Sequence, residues 1–114
     1  MNLKKIQPTA DEQSFRARRF RLLSDEHRLQ ILELLHGSEL NVTEISKQLG
    51  IAQSLASHHL KALRLEKILV SKRIGKSITY RISPTIAHGS EQGAFDLGCC
   101  KISLSRTPRP EKQG

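Results

Sequence analysis

Gly50-Ile51-Ala52-Gln53-Ser54-Leu55-Ala56-Ser57-His58-His59-Leu60-Lys61-Ala62-Leu63-Arg64-Leu65 is the stretch on which the reading of the whole chain turns. At helical spacing it separates into two faces. Ala56, Leu60 and Leu63 recur at i, i+4 and i+7, the pattern of a stripe laid on a core. Ser54, Ser57, Lys61 and Arg64 share the opposite side, flanked by Gln53 and His58, and no acid follows before Glu66. Amide and hydroxyl groups on such a face suit base edges, and Lys and Arg suit phosphates. An ordinary amphipathic helix with a solvated basic face has the same pattern, so the neighbouring segments decide.

Immediately upstream, Asn41 and Glu44 form a cap-like pair, and Val42, Ile45 and Leu49 follow at i, i+3 and i+7. This predicts a short helix ending at Gly50, with Gly50-Ile51-Ala52 as a tight connection. Two short helices joined by a glycine-containing turn are the pattern of a helix-turn-helix. Immediately downstream the period changes. Ile68 to Arg73 and Ser77 to Ile82 are rich in β-branched residues and read as strands, joined through Ile74-Gly75-Lys76. A basic hairpin directly after a helix-turn-helix is the winged form of the motif. Lys72, Arg73 and Lys76 lie near its tip, placed for phosphates or a minor groove.

Further out, Ser24 reads as an N-cap with Asp25 and Glu26 in the first turn of a helix that runs to about His36 and stops at Gly37. Leu29, Ile31, Leu32, Leu34 and Leu35 make it the central core helix. Thr9 and Glu12 form a capping-box pattern that opens a first helix near Ala10, running to Leu23. Its arginines, Arg16, Arg18, Arg19 and Arg21, are expected to be solvated, and His27 and His36 to sit on the surface of the second helix. The expected organisation is a flexible lead-in over 1–9, a winged helix-turn-helix domain over 10–83, and a C-terminal extension over 84–114. In that extension Cys100, Ile102 and Leu104 permit one short strand. Thr85 to Gly98 reads as loop, and Arg106 to Gly114, with Pro108 and Pro110, as disordered. The fold class is mainly α with a small β-hairpin: four helices plus a two-stranded wing.

The chain has 114 residues, enough for one modest core, and a formal net charge of +8. The charge is uneven. Lys4, Lys5, Arg16, Arg18, Arg19 and Arg21 face only Asp11 and Glu12 at the amino end, and the 53–81 segment has Glu66 as its one acid. The 24–51 segment has more acids than bases. This suits a domain with one basic face and a polyanionic partner. At 4% aromatic residues and no Trp, a base-stacking platform for single strands is not expected. No run approaches the roughly 20 apolar residues of a membrane span, and Lys4 and Lys5 have no apolar signal core behind them, so a soluble, cytoplasmic protein is expected. There is no phosphate-binding glycine loop, no nucleophile motif and no carboxylate pair in an apolar setting, so an enzyme is not expected.

From Phe20 to Ile82 the order of elements resembles the ArsR-type family of winged helix-turn-helix repressors. The likeness rests on Leu22-Leu23-Ser24-Asp25-Glu26-His27-Arg28-Leu29-Gln30-Ile31-Leu32, on Val42 to Gly50, on Gln53-Ser54 through Leu60-Lys61-Ala62-Leu63, and on the wing from Arg73 to Arg81. It implies a homodimer that binds a palindromic double-stranded operator and blocks transcription until an inducer releases it. The implied DNA-binding residues are Thr43, Gln53, Ser54, Ser57, His58, Lys61, Lys72, Arg73 and Lys76, with His58 toward DNA and His59 against the fold. A winged module that binds RNA or a protein is the alternative.

The chain departs from the family in three places. Members that sense arsenic or soft metals often carry cysteines where Glu39 to Glu44 stand here. Others bind ions through Asp and His on a long C-terminal helix, which the segment after Pro84 does not predict. The dimer is therefore expected to depend more on residues 10–23. Ala52 stands where a capping Ser is common. No cofactor is required by this reading, but the adjacent Cys99 and Cys100 are candidates for sensing a soft metal, arsenite or an oxidant. A closed metal site needs three or four ligands, so His88 or a partner-chain cysteine would have to complete it. Neighbours on a strand point to opposite faces, which disfavours chelation and leaves a packing role open. Adjacent His58 and His59 point about 100° apart on a helix and make a poor zinc pair.

Overall fold

The computed structural model describes residues 9–86, 94–98 and 100–104. Its elements run α1 (Ala10–Leu23), α2 (Glu26–Leu35), β1 (Leu40–Asn41), α3 (Val42–Leu49), α4 (Gln53–Leu65), β2 (Leu69–Ile74), β3 (Ser77–Ile82), β4 (Ala94–Asp96) and β5 (Lys101–Ser103). The expected lead-in up to Pro8, and the tail after Leu104, lie outside the described residues.

Helix α2 supplies the centre. Ile31, Leu32 and Leu35 are fully or almost fully buried, and Ile45 of α3 and Leu60 and Leu63 of α4 close over them. Burying one such side chain contributes about 1.5–3 kcal/mol, so these few residues set the packing of the three helices. Ile68 and Leu69 carry the same core into the sheet.

The helix ends follow the sequence closely. Thr9 and Glu12 make the capping box on α1, and Asn41 and Glu44 make another on α3. One expectation is corrected. The N-cap of α2 is Asp25, whose carboxylate accepts from the Arg28 N–H at 3.1 Å. Ser24 instead closes α1, donating its hydroxyl to the Arg21 carbonyl at 2.8 Å. Both residues can cap, and the carboxylate gains the extra attraction of the helix dipole.

The wing is a hairpin of β2 and β3, with Leu69 opposite Ile82 and Ile74 opposite Ser77. Its turn is only Gly75-Lys76, because Ile74 still belongs to the strand, and Gly75 takes the left-handed conformation at φ +62°. Such a two-residue turn needs positive φ, which glycine adopts at no steric cost. The sheet has a third strand that the sequence did not suggest: β1 pairs with β3, Leu40 opposite Tyr80 and Asn41 opposite Thr79. Two residues are too short for a periodic signal, so only the pairing reveals them.

The extension differs from expectation. It carries two strands, β4 pairing with β5 in antiparallel register, Phe95 opposite Ile102. The strand around Ile102 was expected, but its partner falls within the stretch read as loop. The cause is Phe95 and Leu97, both buried, which anchor a segment whose glycines hide any alternation. The Phe95 ring meets the His36 ring edge-on at 5.3 Å, so His36 is not a bare surface residue. At the hairpin turn, Gly98 lies against the Phe15 ring of α1.

The arginines of α1 divide. Arg16 and Arg21 are exposed, and Arg18 pairs with Glu66 at the end of α4 at 3.2 Å. Arg19 is buried, contrary to the solvated reading. Its guanidinium lies 4.7 Å from the centre of the Phe15 ring, and its Nε and Nη1 have no hydrogen-bond partner among the described residues. Stacking on the ring offsets part of the cost of burying it.

Candidate nucleic-acid interface

The connection that positions the opening helix is built by backbone geometry. Gly50 adopts φ +68°, and the Gly50 and Ile51 N–H groups donate to the carbonyls of Lys47 and Ser46. These bonds close α3 and launch α4 across it. Ala52 precedes α4 with no side-chain cap bond, as the missing hydroxyl implies. At its far end α4 closes through Lys67, a non-glycine residue at φ +63°, with Ile68 donating to the Leu63 carbonyl.

The two faces of α4 separate as the spacing predicts. Ala56, His59, Leu60 and Leu63 are buried, while Gln53, Ser54, Ser57, His58, Lys61 and Arg64 are exposed. Thr43 of α3 is exposed beside them and accepts a hydrogen bond from Gln53 Nε2 at 3.0 Å. That bond ties the two helices of the motif together at their outer surface. The sequence gives no sign of it, since the residues are ten apart and no local pattern pairs them.

On the wing, Lys72, Arg73 and Lys76 are exposed, as expected. Ile74 and Ile78 are exposed beside them, at 53% and 39%. Arg81, nearer the base of the wing, approaches Glu39 at 3.9 Å. The polar side chains exposed on α4 and the wing tip are an amide, hydroxyls, an imidazole and cations, the groups that meet base edges and phosphates.

Behind α4 lies a polar contact that sequence reasoning missed. His59 is buried, as the family likeness implied, but it does not sit in a purely apolar setting. Arg28 Nε donates to His59 Nδ1 at 3.0 Å, and Arg28 Nη1 donates to the Leu22 carbonyl at 3.1 Å. His59 Nε2 faces Asp25 Oδ1 at 3.9 Å, and the His27 ring lies 5.4 Å from the His59 ring. His27 is therefore half-buried against α4 and not out on the surface of α2. Burial pushes the His59 pKa down, Asp25 opposes this, and the cations around it push it further down, so the ring is neutral near pH 7. Burial raises the Asp25 pKa, but the Arg28 N–H bond and the charges of His59 and Arg28 outweigh it and hold it below the ordinary carboxylate value. Asp25 and His59 are thus not an ion pair at neutral pH. Arg28 joins the end of α1, the start of α2 and the middle of α4 in one contact.

Of the suggested sensor pair, Cys100 is half-buried at the end of the β4–β5 turn, where its carbonyl accepts from Leu97 N–H at 2.8 Å. Cys99 and His88 lie outside the described residues. No helix among the described residues is long and apolar enough to cross a membrane.

A two-helix motif with a buried stripe beneath an exposed polar face, followed by a cationic hairpin, is a winged helix-turn-helix DNA-binding domain. Residues 25–68 match the model of the bacterial regulatory protein arsR family. The chain is 31% identical to the transcriptional repressor SdpR of Bacillus subtilis over 71 residues, which cover 62% of this chain and 79% of SdpR. It is 36% identical over 63 residues to the HTH-type transcriptional regulator KmtR of Mycobacterium tuberculosis, covering 55% of this chain and 48% of KmtR. It thus spans about half the length of KmtR. Among solved structures, the homodimeric winged helix-turn-helix DNA-binding domain of Mb0332 from Mycobacterium bovis superposes with a TM-score of 0.62 at 30% identity, covering 72% of this chain and 76% of that one. The chain belongs to the arsR family of bacterial transcriptional regulators.

Proposed function

We propose that the protein is a homodimeric repressor that binds a palindromic double-stranded DNA operator. In this reading α4 lies in the major groove, with Gln53, Ser54, Ser57 and His58 toward base edges and Lys61 and Thr43 toward the backbone. Lys72, Arg73 and Lys76 of the wing contact flanking phosphates or the minor groove. The observation that carries it is the α4 face itself: six neutral or basic side chains exposed on one side, held in place by four buried ones on the other. Repression follows SdpR, and the dimer follows the homodimeric Mb0332 domain.

Operator fragments selected from genomic DNA, titrated with the protein at several salt concentrations, test this. The expected result is tight binding to a palindrome, a steep salt slope and no preference for RNA of the same sequence. Equal affinity for random duplex and operator, or preference for RNA, refutes it.

As inducer we propose a soft metal ion, arsenite or an oxidant acting at Cys99 and Cys100. In support, the hairpin turn beside Cys100 packs on Phe15 of α1, the helix expected to serve the dimer. A disturbance there would bear on the spacing of the two recognition helices. Operator affinity of the reduced protein should fall when arsenite, a soft metal or a mild oxidant is added. The Cys99→Ser, Cys100→Ser double variant should lose that response and keep its basal affinity. No response in the reduced wild type removes the pair from the sensing role.

A further inference from the structure

We propose that Asp25, His27 and His59 form a binding site for a borderline divalent cation of the zinc(II), cobalt(II) and nickel(II) class. One ligand atom from each lies within 4.8 Å of the others, and His59 Nε2 and Asp25 Oδ1 are already 3.9 Å apart. That is a small contraction away from two ligands sharing one ion. Two imidazoles and one carboxylate are the ligand types such ions take, and three protein ligands leave one coordination position for water. The site joins the first turn of α2 to the middle of α4. It is distinct from the adjacent His58 and His59, which diverge on one helix, and from the cysteine pair.

Each ligand is prepared for the role. His59 is buried and neutral, so protons compete weakly for its ring. Asp25 is ionised. The half-buried His27 ring makes ring contact with His59, and no hydrogen bond engages it among the described residues.

Arg28 opposes the ion and thereby marks its arrival. A neutral imidazole that accepts from Arg28 at Nδ1 must carry its proton on Nε2, the atom facing Asp25. Ligation through Nε2 requires the other tautomer, with the proton on Nδ1, where Arg28 can no longer donate. Loading therefore shifts the His59 proton from Nε2 to Nδ1 and releases the Arg28 Nε bond. The link between the start of α2 and α4 passes from a guanidinium to a metal ion.

The test needs no DNA, so it stands or falls apart from the proposed function. Cobalt(II) is titrated into the untagged full chain in a Cys99→Ser, Cys100→Ser background, which removes thiolate ligands. One equivalent should give visible d–d bands without thiolate charge transfer. His27→Ala should weaken cobalt binding by about tenfold or more, since even outer partners of a metal site cost about that much. Unchanged circular dichroism and melting of that variant would show that the loss is not unfolding. In the same background, nitrogen–proton correlation spectra of the histidine rings should report Nε2–H for His59 in the metal-free protein and Nδ1–H with zinc(II). Absence of bands at stoichiometric cobalt, equal binding by His27→Ala, or an unmoved His59 tautomer under zinc saturation would each overturn the site.

Discussion

Replacing Gln53 by Ala should separate base reading from everything else this domain does. Gln53 is exposed at the first position of α4, and among the described residues its side chain donates to Thr43 Oγ1 at 3.0 Å. An exposed bond of that kind contributes at most about 0.5–1.5 kcal/mol, and the truncated side chain leaves no cavity, so melting should shift only slightly. On the operator the loss should be about 1–3 kcal/mol, a rise in Kd of about 5- to 150-fold. On random duplex it should be small, because no phosphate contact is removed. Fluorescence anisotropy with labelled operator and a scrambled duplex at one salt concentration measures both. Thr43→Ala supplies the comparison: it also breaks the Gln53–Thr43 bond but leaves the amide in place, and the loss of its own proposed backbone contact should fall equally on operator and scrambled duplex. If it costs as much as Gln53→Ala, the bond's positioning of the amide matters, and a double variant should then be less than additive. Equal losses on operator and scrambled duplex for Gln53→Ala would refute the base-reading role and reduce Gln53 to a backbone contact.

Lys76→Ala, at the wing turn, should weaken binding to all sequences and lower the salt slope by about one unit, with an unchanged slope placing the wing away from DNA. Ala52→Ser should supply the missing cap on α4 and add about 1 kcal/mol of stability, read as a higher midpoint in urea; no gain would mean the cap geometry cannot accept a hydroxyl. Leu60→Ala removes a fully buried side chain between α4 and α2 and should cost about 2–5 kcal/mol by the same measurement. A loss well under 1 kcal/mol would show that the core collapses around the gap.

The helices were legible because their signals are local. Thr9 with Glu12 and Asn41 with Glu44 announce their caps within four residues, and the spacing of Ala56, Leu60 and Leu63 fixes which side of α4 is buried. The hairpin was legible because Gly75 sits between two β-branched runs. What the sequence hid is what depends on distant partners. β1 exists only because β3 offers it an edge, and β4 only because Phe95 finds a core to enter. Arg19 reads as one more surface arginine until Phe15 is seen beneath its guanidinium. At the interface, every residue assigned to DNA is exposed, since α4 periodicity and hairpin position are enough to predict exposure. The Arg28–His59 bond spans 31 residues and joins two types that no local pattern pairs. His59 could be placed inward by its neighbours, but not given its partner.

Asn41 holds two posts at once. It is the last residue of β1, opposite Thr79, and the N-cap of α3, accepting from Glu44 N–H at 2.8 Å. The register of the wing and the start of the reading motif are therefore set by one residue, with no linker between them to absorb error. A single residue inserted between Leu40 and Asn41 would either slide β1 along β3, turning Leu40 away from the core, or pull the cap off α3. The same insertion at the exposed Gly75-Lys76 turn would only lengthen the tip. Length variation in this domain should accordingly be tolerated at the end of the wing and forbidden at its root.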